Sequence, residues 1–153
     1  MAKTQVTELS DEETRARLRD LLGRLKDQLG AVAEIGDDQG ADDWWMAWVT
    51  PARPGALGFM WIYRGDLIFQ LDAGAVRWEL ERTWQDLEFM EKVVQALIAG
   101  QVYSVKVPGR VQAVVTLPDG SRVKQEWGKA PVGCLPMPFW PRWGERTQHL
   151  PYQ

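Results

Sequence analysis

Four short apolar segments, each separated from the next by turn residues, limit the fold of this chain more than any other feature. They cover residues 44–50, 59–63, 67–71 and 76–80. In the last segment apolar and charged residues alternate, which predicts a strand with one buried and one exposed face. Four consecutive strands with short connections predict antiparallel pairing, because parallel neighbours need a longer crossover.

Two amphipathic helices are predicted, one before and one after these strands. The first covers residues 11–29, where a capping-box pattern at Ser10 precedes leucines at helical spacing. We expect Gly30 to end this helix in the left-handed conformation. The second covers residues 84–99 and has a broader apolar stripe, which indicates that it packs across the sheet.

The rest of the chain is predicted to form three further strands and an irregular tail. Period-two patterns return at 102–107, 110–117 and 122–127. Residues 128–153 are rich in Pro and Trp and lack periodicity, so we interpret them as an extended tail packed on the domain; residues 1–9 form an N-terminal arm. The order α-β-β-β-β-α-β-β-β predicts a single α+β domain over 1–153, with one antiparallel sheet of six or seven strands and two helices packed on it.

Two resemblances accompany this pattern. The element order loosely resembles that of secretion chaperones, in which a helix, three strands, a helix and two strands follow one another; the likeness is one of topology alone. The stretch from Gly100 through the Pro-Asp-Gly turn at 118–120 to Gly133, Cys134, Leu135 and Pro136 resembles small uncharacterised actinobacterial proteins. This second resemblance implies a bacterial source and carries no catalytic residues.

The charge distribution and the cysteine content limit which partners and which cellular location we expect. Residues 1–103 carry 18 acidic and 11 basic side chains, whereas residues 104–153 carry three acidic and seven basic ones. This balance argues against a partner bound through its phosphates, so nucleic acid is not expected. The single Cys134, the absence of a signal-peptide pattern and the absence of a long apolar run predict a cytoplasmic location without membrane contact.

Catalytic signatures are weak. A nucleophile and a base would have to come from Cys134 and His149, and we favour a buried thiol and a surface imidazole over a reactive pair. The stretch Gly55-Ala56-Leu57-Gly58 lacks the Lys and Ser or Thr of a phosphate loop and precedes a strand. We therefore expect no cofactor, and the sequence weighs against an enzyme without deciding the matter.

An acidic loop is the one candidate for metal binding. Four carboxylates surround a glycine in residues 37–43, and hard cations bind oxygen ligands on flexible loops. The order of these residues does not match an EF-hand, and no Glu stands at the twelfth position. We favour a solvated acidic loop over a calcium site, and expect no metal.

Nine tryptophans are more than one small core readily encloses. Trp44 and Trp45 are adjacent, so on a strand they point to opposite faces. An exposed aromatic patch ringed by charge is typical of a binding surface. We therefore predict a non-catalytic protein-binding module, immunity-protein-like or chaperone-like, whose partner is another protein, basic in character, with a homodimer left open. The predicted partner-binding residues are Asp37, Asp38, Asp42, Asp43, Trp44, Trp45 and Trp48.

Two alternatives remain open. A small-molecule pocket could lie between the helix at 84–99 and the sheet, lined by Trp61, Trp78 and Met90, although a packed core explains these residues more simply. Single-stranded nucleic acid could instead bind through the aromatic and basic residues of the tail, which the acidic net charge disfavours. Those residues are Trp127, Lys129, Trp140, Arg142, Trp143 and Arg146.

Overall fold

A computed structural model describes residues 5–72, 76–128 and 140–153. Two helices and nine strands lie in these ranges, with short 3-10 turns at Ala41–Asp43 and Trp140–Arg142. The elements are α1 (Asp11–Leu29), β1 (Ala33–Gln39), β2 (Trp45–Pro51), β3 (Phe59–Tyr63), β4 (Leu67–Leu71), β5 (Arg77–Leu80), α2 (Trp84–Ile98), β6 (Val102–Val107), β7 (Arg110–Thr116), β8 (Arg122–Gly128) and β9 (Glu145–Gln148).

The strands form two antiparallel sheets. One has five strands in the order β1-β2-β3-β4-β5, and the other has four in the order β8-β7-β6-β9. The α+β class with antiparallel pairing is confirmed, but the single sheet of six or seven strands is not. The sheets meet at β5 and β8, where Gln125 Nε2 donates to the carbonyl of Arg77 at 2.6 Å. A side chain bridges these two edges instead of a backbone ladder, and the sheets therefore stay separate.

The two helices run side by side in the same direction. Arg24 Nη2 donates to Glu91 Oε1 at 3.1 Å, and Gln28 Nε2 donates to Gln95 Oε1 at 3.5 Å. Both pairs join residues 67 positions apart, so residue number increases in the same direction along both helices. Their apolar faces and the inner faces of both sheets form one core. In the described ranges, neither helix has the length and apolarity needed to cross a membrane.

The bounds of α1 are confirmed, and the predicted left-handed conformation of Gly30 is wrong. Ser10 Oγ accepts from the backbone N–H of Glu13 at 3.1 Å, and the Glu13 carboxylate accepts from the N–H of Ser10 at 3.0 Å. Gly30 has φ −56° and ψ −25°, which is right-handed helical geometry. The chain leaves the helix through a turn closed by the N–H of Val32 on the carbonyl of Leu29 at 2.9 Å, so a left-handed glycine is not required.

The predicted C-terminal tail is not confirmed where the structure describes it. Within 140–153, β9 pairs with β6, and the chain then returns to the connection between β2 and β3. Leu150 donates its N–H to the carbonyl of Gly55 at 2.8 Å, and the Tyr152 hydroxyl donates to the carbonyl of Leu57 at 2.8 Å. Polar β9 lacks the apolar alternation that predicts a strand. Residues 129–139, with Cys134, lie outside the described part.

Candidate functional site

The outer face of the five-stranded sheet, turned away from the helices, carries large apolar side chains. Alternation along each strand places the core residues on the inner face and their neighbours on the outer face. These outer side chains are half-buried, and none belongs to the core cluster. We call them the outer patch. Its members, which the cross-strand register places next to one another, are Met46, Trp48, Met60, Ile62 and Ile68.

The outer patch is bounded by polar residues at the two ends of its rows. One row runs from Asp38 through the patch to Glu79, and the next runs from Gly36 through Trp48 and Met60 to Arg77. Sequence reasoning missed four patch members because β2, β3 and β4 carry apolar residues on both faces. No periodic signal therefore separates their inner and outer positions.

Strand β1 forms one edge of this sheet, and its outer side is unpaired within the described residues. Ala52 N–H donates to the carbonyl of Val32 at 2.9 Å, and Gly40 N–H donates to that of Trp44 at 3.0 Å. In an antiparallel ladder every second residue bonds to the neighbouring strand, so the even-numbered residues of β1 face β2. The outward-facing N–H and C=O groups, which bond to no described residue, are those of Ala33, Ile35, Asp37 and Gln39.

Two indoles reach across this edge because glycines leave room for them. Trp48 is opposite Gly36, and a Cβ atom on Gly36 would lie 2.7 Å from Cε2 of the Trp48 ring. A Cβ atom on Gly40 would overlap the indole of Trp44. Both tryptophans are half-buried, so their rings are held in place and remain accessible. A glycine inside a strand often marks such a close approach.

The predicted partner-binding residues gather around this edge, with one exception. The side chains of Asp37, Asp38, Asp42 and Asp43 are exposed. Arg15 Nη2 donates to the carbonyl of Asp43 at 2.7 Å, which ties the acidic turn to α1. We call Trp44, Trp48 and these four carboxylates the acidic edge.

Trp45 is a correction to the predicted surface. Strand alternation turns it to the inner face, where it is 2% exposed and packs edge-on against Trp61 with ring centroids 5.9 Å apart. Its Nε1 donates to Oδ2 of Asp37 at 3.0 Å. Trp45 therefore orients a carboxylate of the acidic edge and does not itself line the surface.

The charge around the site is strongly negative. Residues 31–82, which contain the whole five-stranded sheet, carry nine acidic and four basic side chains. Clustered like charge at a surface attracts partners of opposite sign and speeds their encounter. Among the residues that the structure describes, no three acidic, His or Cys side chains are grouped so as to hold a metal ion.

The residues of the predicted small-molecule pocket lie in the core. Trp61, Trp78 and Met90 are 0%, 8% and 0% exposed. Trp78 stacks on Phe69 with centroids 5.7 Å apart, and Nε1 of Trp61 has no hydrogen-bond partner among the described residues. This unpaired donor is the one feature of the group that a ligand could satisfy.

An open groove of about 860 Å³ lies elsewhere, where β4 and β5 meet the N-terminal arm. Sequence reasoning did not predict it, since its residues come from distant segments. Ile68 and Glu79 belong both to the groove and to the outer face of the sheet, so the two surfaces are continuous. Its charged lining residues are Glu8, Asp66, Glu79, Glu81 and Arg82.

The single histidine has a partner that the sequence did not predict. His149 Nε2 and Ser104 Oγ are 2.8 Å apart, and burial lowers the pKa of His149. A catalytic serine needs a third group that orients the imidazole. No described carboxylate bonds to His149, so we interpret the pair as a structural contact that holds the C-terminal segment on β6.

The aromatic and basic residues of the tail do not form one surface that the structure describes. Trp127 and Trp143 are 51% and 76% exposed. The guanidinium of Arg146 lies 3.8 Å from the centroid of the Tyr103 ring, and Arg142 ends a 3-10 turn. Lys129 and the side chain of Trp140 are outside the described part.

Comparisons with known proteins return nothing for this chain: no protein-family model, curated protein or solved structure matches it.

Proposed function

We propose that this protein is a non-catalytic binding module, immunity-protein-like or chaperone-like, which binds a basic partner protein on the outer patch and the acidic edge. The observation that carries the proposal is the pair of half-buried indoles, Trp44 and Trp48, held over glycines at an open and acidic sheet edge. Tryptophan is among the residues that contribute most binding energy at protein interfaces.

The layout of the surface matches what a protein interface needs. Such interfaces have an apolar centre, where water is excluded, and a polar rim. Here the outer patch supplies the centre, while Asp38 and Glu79 stand at the ends of one of its rows. The carboxylates would raise the association rate of a basic partner, whereas the apolar side chains would slow its dissociation.

The charge of the site also bears on self-association. A symmetric dimer through this face would bring the acidic edges of two copies together, and like charges placed opposite each other cost free energy. A basic partner removes this repulsion. We therefore favour a different protein over a second copy of this chain as the occupant.

Affinity capture from the native host with matched variants tests the proposal. The tagged chain should retain a basic protein that the Trp44→Ala/Trp48→Ala variant retains at least about tenfold less, the loss expected when interface hot spots are truncated. The Asp37→Asn/Asp38→Asn variant should retain less of it, and added salt should weaken retention by the unaltered chain. Trp143→Ala and Glu88→Gln are controls, because both residues are exposed and lie outside the five-stranded sheet and α1.

Two outcomes would contradict the proposal. Equal retention by all four variants would show that the partner binds elsewhere. Sedimentation that shows a dimer of this chain, dissociated by the Trp44→Ala/Trp48→Ala change, would make the second copy the occupant.

The small-molecule pocket is a second candidate, and the unpaired Nε1 of Trp61 is the observation in its favour. A ligand with a hydrogen-bond acceptor would satisfy this donor, which otherwise costs free energy in a buried site. A ligand screen by Tm should then find compounds that stabilise the unaltered chain and lose their effect in Trp61→Phe. A screen without such compounds removes this candidate.

A further inference from the structure

The open edge of β1 has the properties of a strand-binding site. Its register with β2 is unbroken over seven residue pairs. Proteins usually block exposed edges with proline, a bulge, charged side chains or a covering segment; β1 contains no proline or bulge, and its charged side chains are all acidic. Its outward N–H and C=O groups, at Ala33, Ile35, Asp37 and Gln39, therefore form a regular ladder with no partner in the described ranges.

The side chains of β1 decide which strand can pair there. Glu34, Asp37 and Asp38 are exposed carboxylates on one short strand. Two copies of β1 would place like charges across from each other, which is destabilising. A basic segment places positive charges opposite these carboxylates. The edge therefore disfavours pairing with a second copy of β1 and favours pairing with a basic strand.

We propose that the partner protein contributes an extended basic and apolar segment that adds an antiparallel strand to β1. This mode rests on the proposed function and specifies how the partner is held. Backbone hydrogen bonds supply the affinity in such strand addition, and alternate side chains supply the specificity. The antiparallel direction follows the rest of the sheet and is the more stable pairing per residue.

The register fixes the side chains that the segment needs. The position opposite Gly36 meets the indole of Trp48, so it takes a large apolar residue. Even-numbered residues of β1 form the closer, non-hydrogen-bonded pairs with an added strand. The residue opposite Gly36 therefore lies near the Trp48 ring. The positions opposite Glu34 and Asp38 take Lys or Arg, and the position opposite half-buried Ile35 takes a small apolar residue. From its N-terminus to its C-terminus, the segment therefore has the order basic, polar, apolar, apolar, basic, beginning opposite Asp38 and ending opposite Glu34.

The test uses the full chain and three synthetic peptides with Lys-Thr-Leu-Val-Lys at their centre. In the antiparallel register Val and Thr are opposite Ile35 and Asp37 and bond to them, whereas the N–H of the peptide Leu points away. One peptide is unmodified, one is N-methylated at Val, and the matched control is N-methylated at Leu. Amide hydrogen exchange of the protein is followed by NMR with each peptide at millimolar concentration.

The unmodified peptide should slow exchange at Ile35 and Asp37 at least about tenfold, because these amides gain hydrogen bonds. N-methylation at Leu should preserve this protection, and N-methylation at Val should abolish it. A fourth peptide with Glu in place of both Lys residues should give no protection.

Three results would overturn strand addition. They are equal protection by both N-methylated peptides, peptide binding that shifts Trp48 signals without protecting Ile35 and Asp37, and no binding by any peptide. None of them alters the outcome of the capture experiment with the Trp44→Ala/Trp48→Ala variant. Loss of strand addition is therefore distinguishable from loss of the proposed function.

Discussion

The indole of Trp48 lies against Gly36, the residue opposite it on β1. The absence of a side chain on Gly36 lets the ring cross from β2 to the open edge of the sheet. The aromatic surface of an inner strand thus becomes part of the edge, beside the carboxylates of Asp37 and Asp38. Gly36 therefore brings together two features that a basic strand would need, an apolar contact and opposite charge.

Gly36→Ala should therefore destabilise the fold and displace the ring. The new Cβ atom would lie 2.7 Å from Cε2 of Trp48, closer than atoms pack, so the indole must swing outward. We expect the free energy of unfolding to fall by about 1 kcal/mol, the lower end of the range for overpacking, because a half-buried ring has space to move. Urea unfolding measures the loss.

Gly23→Ala is the matched control and should change stability in the opposite direction. Gly23 is exposed on α1, and no atom lies within 4 Å of a Cβ placed there. Replacing a helical glycine by alanine typically stabilises by about 0.5–1 kcal/mol. If both variants lose stability equally, the ring contact at Gly36 is not the cause of its effect.

Two buried tryptophans should respond differently to the same change. Trp45→Phe removes an N–H that donates to Asp37 at 3.0 Å, whereas Trp61→Phe removes an N–H without a described partner. Both lose similar volume, so the difference reports the hydrogen bond lost at Trp45 together with the relief of the unpaired donor at Trp61. Trp45→Phe should cost about 1 kcal/mol more, the net value of a typical hydrogen bond whose acceptor can return to water. Equal losses of unfolding free energy in the two variants would contradict this assignment.

Most elements of the fold were predictable because they carry strong local signals. The alternation at 76–80 and the capping box at Ser10 decide structure within a few residues. Strand β1 lacks such a signal, since three of its seven residues are acidic. Strand β9 contains no apolar residue, and it pairs because the chain returns to β6. The division into two sheets is also a tertiary property that no local pattern encodes.

The acidic edge was partly predictable for the same reason. Its carboxylates and the tryptophans at 44 and 48 stand out by residue type, whereas Trp45 was assigned to the surface because neighbouring indoles look alike in sequence. The alternation of side chains along β2 distinguishes the inward indole from the outward one. It can be read only once the register of the strand is known. Gly36 and Gly40 would have been the remaining signal, since a glycine within or beside a strand often marks a close approach.

Tyr152 holds the C-terminal segment against the connection between β2 and β3, and Tyr152→Phe should lower the free energy of unfolding. The buried hydroxyl donates to the carbonyl of Leu57 at 2.8 Å, and its removal leaves that acceptor unpaired. Burial and the nearby Asp72 raise the pKa of Tyr152, so the hydroxyl keeps its proton to a higher pH than an exposed tyrosine does. We expect a loss of about 1–3 kcal/mol in thermal or urea unfolding.

Tyr103→Phe is the control for this change. Its ring lies under Arg146, and its hydroxyl makes no hydrogen bond to a described residue. The variant should stay within about 0.5 kcal/mol of the unaltered chain, as surface changes without specific partners usually do. A loss as large as that of Tyr152→Phe would indicate that both variants report the removal of a hydroxyl and not the contact with Leu57.

Stability should decrease in mild acid because of His149. Burial lowers its pKa below the ordinary value of 6.5, so the folded chain keeps the imidazole neutral beside Ser104 while the unfolded chain protonates it. The unfolded state then binds more protons below that pH, and the free energy of unfolding falls until the pKa of the folded chain is passed. His149→Gln keeps a polar group near Ser104 but does not titrate. Urea unfolding between pH 7.5 and pH 5.5 should therefore show a steeper decline in the unaltered chain than in His149→Gln, and parallel curves would assign the acid sensitivity to other groups.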